Sequence, residues 1–261
     1  MKYWVKRNKS TQEKLATKSV EDIEKQLTKY YQDSAKEILG QFEKTYIKVI
    51  STISEGREVT PADLYKLDSY WKLQEQVRLE LIRLGEKEVV NLTKQFENFY
   101  LGVYQSLELP IGDMPNAFST LDKALINQMI NTIWCADGKS WSQRIWDNLE
   151  LLQDTLNEGL LHCVATGSNT TNLKKILQER FDVSYSRADS LVRTEIAHIQ
   201  TQAAQKRYED YGIEEVEIWA DKDERRCEHC GKLHTKRYPV GAKVPIPAHP
   251  RCRCIVIPVV D

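Results

Sequence analysis

The chain has 261 residues, of which 41% are hydrophobic and 29% are charged, and its formal net charge is -1. This balance is typical of a folded protein with one or two domains and excludes a disordered chain. A net charge so close to zero also excludes a general electrostatic attraction to nucleic acid or to anionic membranes.

The first hundred residues have the period of two long amphipathic helices. Ser19 followed by Asp22 predicts a helix N-terminus, after which apolar residues recur mostly every three or four positions. They are Val20, Ile23, Leu27, Tyr30, Ile38, Phe42, Tyr46, Val49 and Ile53. A second start signal at Thr60–Asp63 opens a longer apolar stripe, in which Gly85 is expected to kink or split the helix. The two helices are expected to pack as an antiparallel hairpin.

The segment from Leu109 to Asn116 contains two prolines and a glycine and is the predicted boundary between two regions. Residues 1–115 would form a long-helix region, and residues 116–261 would form a second domain. Helices are predicted in that domain at about 117–134, 140–165 and 170–180, and from Ser184 to Tyr211. Gly212 then occupies the position of a C-terminal glycine.

After Gly212 the period changes from that of a helix to that of a strand. Val216, Ile218 and Ala220 alternate with more polar or aromatic residues, and residues 254–257 form a second β-like run. The predicted fold class is therefore α+β and predominantly α. It consists of a long N-terminal helical hairpin or bundle, followed by a small helical and β module with a cysteine–histidine loop.

The last thirty-five residues hold four of the six cysteines and three of the five histidines. A structural zinc ion is bound by four thiolate or imidazole ligands in a tetrahedron, commonly as two pairs. The sequence contains two such pairs and one further candidate ligand. These five residues are Cys227, Cys230, His249, Cys252 and Cys254. Cys252 and Cys254 would point the same way in an extended segment, so either could complete the site. The sequence predicts zinc bound by four of these five residues.

Two other states of these cysteines remain open, namely neighbouring free thiols and a disulfide. The N-terminus becomes charged at once and lacks the apolar run of a secretory signal, and the sequence shows no apolar run of membrane-spanning length. Synthesis in a reducing cytoplasm is therefore expected, where disulfides are uncommon. His229 and His234 are expected to be exposed loop residues, whereas Cys135, His162 and Cys163 are expected in or near the core.

Arg193 and Glu195 are a charged pair inside an otherwise apolar helix, separated by Thr194. They could form a structural ion pair that clamps the helix to the cysteine–histidine loop or to the strands, or they could be a catalytic arginine–glutamate arrangement. The structural role is favoured because no nucleophile or cofactor-binding loop accompanies them. His198 shares the face of Glu195 but completes no HExxH motif, so a metalloprotease of that type is excluded. No catalytic residue is predicted.

The order of these motifs resembles the phage Mu F-like, or phage head morphogenesis, domain. The similarity rests on the Arg193-Thr194-Glu195 helix, the CxxC pair at Cys227 and the final His249-Pro-x-Cys-Arg-Cys segment, and it covers roughly residues 145–258. The resemblance implies a minor head protein of a tailed phage or prophage, located at the portal vertex and acting in head morphogenesis and in DNA packaging or delivery.

The resemblance also implies the partners and the location of the protein. The partners would be the portal protein, other capsid or scaffolding proteins and packaged DNA, with no membrane involved. The protein would be part of the virion after assembly in the bacterial host cytoplasm, and it would not be an enzyme.

Two other functions remain open. One is a zinc-dependent nuclease or an ADP-ribosyltransferase-like enzyme that uses Arg193 and Glu195. The other is a DNA-binding module, in which the arginines beside the cysteines would hold phosphates.

Overall fold

The computed structural model describes residues 3–53, 60–108 and 121–260. Its helices are α1 (Tyr3–Ile53), α2 (Pro61–Leu64), α3 (Asp68–Ser106), α4 (Lys123–Ile130), α5 (Trp141–Ala165), α6 (Thr170–Asp210) and α7 (Glu228–Leu233). Its strands are β1 (Glu215–Trp219), β2 (Arg237–Pro239) and β3 (Ile255–Pro258). The predicted α+β, predominantly α class is confirmed. The predicted boundary at residues 109–116 lies outside the described residues, so the two-region division stays a prediction.

Two helices are longer than predicted because buried polar residues continue their inner faces. The prediction that α1 begins at Ser19 was wrong, since α1 begins at Tyr3 and buries Asn8 and Gln12 at core positions. The predicted break before Ser184 was also wrong, because α6 is continuous and Ser184 is buried one turn after Phe181. A count of apolar residues misses a stripe that includes amides and hydroxyls.

Gly85 does not split α3, which is continuous from Asp68 to Ser106. A Cβ atom at Gly85 would lie 2.4 Å from the ring of Trp146 on α5. The glycine therefore permits a close approach of two helices. The start signal at Thr60 does form a capping box with Asp63, but the helix that it opens ends after one turn at Leu64.

The C-terminal strands form a three-stranded antiparallel sheet in the order β2-β1-β3. The two predicted strands are present, and β2 was not predicted because its three residues give no alternating pattern. Gly212 ends α6 as predicted, with φ at +71°. The amide of Ile213 donates to the carbonyl of Tyr208 at 2.9 Å, the bond of a Schellman motif.

The chain packs into two compact units that interleave along the sequence. The bundle unit comprises Lys25–Val90 and Ser142–Asp189, and the sheet unit comprises Met1–Glu24, Asn91–Trp141 and Ser190–Asp261. The core of the bundle unit is built from apolar side chains of four helices, including Ile38, Phe42, Leu73, Leu84, Leu152, Leu156, Leu177 and Phe181. Within the described residues, every helix lacks an apolar stretch long enough to cross a bilayer.

The first turns of α1 are part of the core of the sheet unit. Val5 packs against Ile255 and Ile257 of β3, with Trp219 of β1 beside them. Two turns further on, Gln12 is fully buried, and its amide nitrogen lies 3.2 Å from the carbonyl of Val256. Residues at opposite ends of the sequence therefore build one interior, and that interior supports the cysteine–histidine loop.

Candidate metal centre

The first pair of cysteines is placed by the start of α7. Cys227 is the N-cap of this helix, and its sulfur accepts a hydrogen bond of 3.3 Å from the amide of Cys230. One tight turn thus brings both thiols to the same side. Cys227 is exposed, whereas Cys230 is buried and 4% accessible.

The other three candidate ligands come from the segment that leads into β3. The amide of Cys252 donates to the carbonyl of His249 at 3.2 Å, which closes a turn between them. Cys252 and Cys254 are both buried, as the alternation of an extended segment predicts for two residues that share a side. His249 is half-buried at the edge of the cluster.

All five predicted donors meet around the sulfur of Cys230. It lies 3.2 Å from Nε2 of His249 and 3.8 Å from Sγ of Cys252. It belongs to two groups of three, one with Cys227 and His249 and one with Cys252 and Cys254, whose donor atoms lie within 4.8 Å of one another. Two thiolates on one tetrahedral zinc ion are separated by about 3.8 Å, because each Zn–S bond is about 2.3 Å long. The cluster therefore has the donors and the spacing of a metal site.

The hydrogen bond of His249 favours the tautomer that binds a metal. Its Nδ1 lies 2.8 Å from the carbonyl oxygen of Pro250, and a carbonyl can only accept. In the neutral imidazole the proton is thus on Nδ1, and the lone pair of Nε2 faces Cys230. Metal-binding histidines are commonly oriented by such a bond from the second ring nitrogen.

The thiols of the cluster differ in how readily they ionise. The pKa of Cys252 is lowered to about 5, chiefly because the thiol of Cys254 donates a hydrogen bond to it. The pKa of Cys227 is also lowered, first by the amide of Cys230, while burial raises the pKa of Cys230 itself to about 12. Ionisation is therefore favoured at Cys252 and Cys227, and a metal ion would displace the protons that the remaining thiols share.

Arginines surround the opening of the cluster. Arg225, Arg226, Arg251 and Arg253 line it together with Asp221. Arg253 forms a two-bond ion pair with Asp223, with distances of 2.7 and 2.8 Å. This pair bridges the two segments that supply the cysteines. The rim remains positively charged because the other three arginines outnumber Asp221.

The residues Arg193, Thr194 and Glu195 contact three different parts of the sheet unit, because consecutive helical residues point about 100° apart. Arg193 pairs with Glu24 of α1. The hydroxyl of Thr194 accepts from the amide of Arg251 at 3.1 Å and so ties α6 to the cysteine–histidine loop. Glu195, which is 3% accessible, accepts from the indole nitrogen of Trp134 at 3.0 Å. An ion pair between Arg193 and Glu195 themselves stays a prediction.

Trp134 is a contact residue that the sequence did not indicate. It lies in the connection after α4, and its ring stacks on His198 with centroids 4.5 Å apart and planes 12° apart. Burial lowers the pKa of His198 to about 4, so this ring is neutral at neutral pH. An isolated aromatic residue in a loop carries no periodic signal that could have identified it.

The other cysteines and histidines divide between confirmed and wrong predictions. Cys163 is buried and Cys135 half-buried, as expected, but His162 is exposed. His229 is exposed as predicted. His234 is half-buried instead, because its Nδ1 accepts from the amide of Ala220 at 3.2 Å and its ring packs against Trp219.

Comparison with known proteins bears on the C-terminal part of the chain. No curated protein and no solved structure matches it. Residues 154–257 match the family described as Phage Mu protein F like protein. The matched segment contains the Arg193-Thr194-Glu195 residues and all five donors of the cluster. The resemblance predicted from the sequence is thus confirmed, and residues 154–257 carry a Phage Mu protein F like sequence.

Proposed function

We propose that this protein is a minor head protein of a tailed phage or prophage. It would act at the portal vertex in head morphogenesis and in DNA packaging or delivery, without catalysing a reaction. The observation that carries this proposal is the Phage Mu protein F like match over residues 154–257. The match includes the loop that the sheet unit assembles into a cysteine–histidine cluster.

The cluster would hold a structural zinc ion rather than a catalytic one. A catalytic zinc keeps one of its positions open for water or substrate, whereas a structural site fills all four with protein ligands. Here five donors compete for four positions, and Cys230, Cys252 and Cys254 are buried. The zinc would therefore fasten the loop to α7 and β3, supplying free energy that this small region lacks in apolar burial.

The burial of Glu195 also supports a function without catalysis. The carboxylate is 3% accessible and is bound by the indole of Trp134, so a substrate could reach it only after Trp134 had moved. Replacement of Glu195 by Gln separates the two roles. A structural role predicts a change in stability alone, whereas an enzyme would keep its stability and lose activity.

The bundle unit offers a surface for a protein partner. Trp71 and Tyr65 are 55% and 45% accessible and contact each other, and the indole nitrogen of Trp71 donates to the carbonyl of Tyr65 at 3.0 Å. Exposed aromatic side chains held in one orientation dominate the binding energy of many interfaces. We assign this aromatic pair to contact with the portal protein or another capsid protein.

The proposal is tested by co-purification with the portal protein that is encoded alongside it. The wild-type chain is expected to capture the portal protein, and Trp71→Ala is expected to weaken the capture by about tenfold or more. Val90→Ala is the matched control, since Val90 is a 72% accessible apolar residue of the same unit. Failure of the wild-type chain to bind any portal, capsid or scaffolding protein would contradict the proposal.

Packaged DNA is a second candidate partner, because four arginines line the opening of the cluster. Phosphate contacts of this kind predict affinity that falls steeply with salt concentration. Replacing Arg225 and Arg226 by Gln should reduce that salt dependence. Absence of DNA binding at low salt would remove DNA from the list of partners.

A further inference from the structure

A buried carboxyl group in the bundle unit has no role in the function proposed above. Glu88 lies on the inner face of α3, four residues after Leu84, and is 1% accessible. Among the described residues, neither of its carboxyl oxygens has a hydrogen-bond partner. An ionised carboxylate without a partner is among the costliest groups to bury, so a neutral carboxylic acid is the form that suits this position.

The groups around Glu88 are uncharged at neutral pH. Tyr31 of α1 is 3% accessible, and its hydroxyl faces Glu88, Asn148 on α5 and Ser184 on α6. The side-chain nitrogen of Asn148 donates to this hydroxyl at 3.2 Å and to the carbonyl of Ser184 at 3.0 Å. Four helices thus meet at one small polar cluster, in which Tyr31 and Glu88 are the titratable groups.

The hydrogen-bond inventory of this cluster also favours a proton on Glu88. The side-chain oxygen of Asn148 is a buried acceptor without a donor, and the hydroxyl of Ser184 is also buried without a partner. A protonated carboxyl adds one donor, whereas a carboxylate adds only further acceptors. Arg83, a cation on the same helix, is already engaged with Glu80.

We propose that Glu88 is a proton-operated latch of the bundle unit. The packed helices hold it as a neutral carboxylic acid, and its ionisation loosens α1, α3, α5 and α6 around the cluster. The proton on Glu88 would thus regulate how tightly the four helices pack. This regulation does not depend on metal binding by the cysteine–histidine cluster of the sheet unit.

The direction of the pH effect follows from the shift at Glu88. Burial raises the pKa of this carboxyl from the ordinary 4.5 to about 8. Between those two values the folded protein keeps a proton that the unfolded chain has released. The stabilising contribution of this proton is therefore complete below the ordinary carboxyl pKa, falls as the pH rises, and levels off above about 8.

The test is thermal and denaturant unfolding of the full-length chain between about pH 6 and about pH 9. Over this range the equilibrium constant for folding of the wild type is expected to fall on the order of a hundredfold relative to Glu88→Gln. That variant carries a neutral side chain of the same shape at every pH. Glu86→Gln, an exposed glutamate on the same helix, is the matched control and should follow the wild type.

A direct titration keeps the proposal falsifiable if Glu88→Gln does not fold. Carbon-13 NMR of labelled glutamate carboxyl groups in the wild type should show one resonance that titrates well above the others. Assignment uses Glu88→Asp, which retains a carboxyl group on a shorter side chain. A stability difference between wild type and Glu88→Gln that does not change with pH, or a wild-type chain in which every glutamate titrates near 4.5, would overturn the proposal.

Discussion

The bundle unit and the sheet unit bury different kinds of side chain. The interior of the bundle unit consists mainly of leucine, isoleucine and aromatic rings at helical spacing, and its buried polar residues are Ser34, Asp63, Glu88, Ser184 and Asp189. The sheet unit buries amides, a carboxylate, an imidazole and thiols, namely Asn8, Gln12, Glu195, His198, Gln200, Gln205, Cys230, Cys252 and Cys254. Apolar packing tolerates substitutions of similar volume, whereas each buried polar group depends on a particular partner. The sheet unit should therefore be the more sensitive to single substitutions.

The largest loss of stability is expected for Cys230→Ser, because the sulfur of Cys230 belongs to both groups of candidate metal donors. Loss of a structural zinc removes on the order of 10 kcal/mol of binding free energy from the folded state. The sheet unit should then lose protection from amide hydrogen exchange while the bundle unit keeps it. Cys135→Ser is the control, since Cys135 lies in the sheet unit but outside the donor groups. Equal protection in the two variants would refute a metal-held sheet unit.

A smaller loss is expected for Gln12→Ala. Gln12 donates to the carbonyl of Val256 and to the hydroxyl of Tyr208, and it accepts from Gln200. Its removal leaves buried partners unsatisfied, at about 2–4 kcal/mol in the free energy of unfolding measured with denaturant. Lys18→Ala, an exposed change on the same helix, should cost less than about 0.5 kcal/mol. If the two variants were equally stable, the first turns of α1 would not belong to the core of the sheet unit.

Two glycines of the bundle unit should respond in opposite directions. Gly85→Ala places a methyl group 2.4 Å from the ring of Trp146, so destabilisation by about 1–3 kcal/mol is expected. Gly40→Ala meets no atom within 4 Å and should stabilise α1 by about 0.5–1 kcal/mol. Differential scanning calorimetry measures both changes. A stabilising Gly85→Ala would show that helix propensity outweighs the contact with Trp146.

The difference between the mainly apolar interior of the bundle unit and the more polar interior of the sheet unit explains which features the sequence could predict. The apolar stripes of the bundle helices follow from the sequence, and the five donors predicted from the cysteine spacing lie close together in the structure. The start of α1 at Tyr3 was missed because Asn8 and Gln12 fill core positions with polar atoms whose partners lie far away in the sequence. Trp134 was missed for a related reason, because its structural role consists of its contacts with Glu195 and His198. Local sequence patterns carry no information about contacts between residues so far apart in the sequence.

We propose that a metal ion at the cysteine–histidine cluster holds the sheet unit together. The most direct measurement is elemental analysis of the full-length protein, purified under reducing conditions without chelator. About one zinc ion per chain is expected, falling to a small fraction of that value in Cys230→Ser and unchanged in Cys135→Ser. A wild-type protein that contains no zinc or other transition metal, and that gains no stability when zinc is added, would contradict the claim.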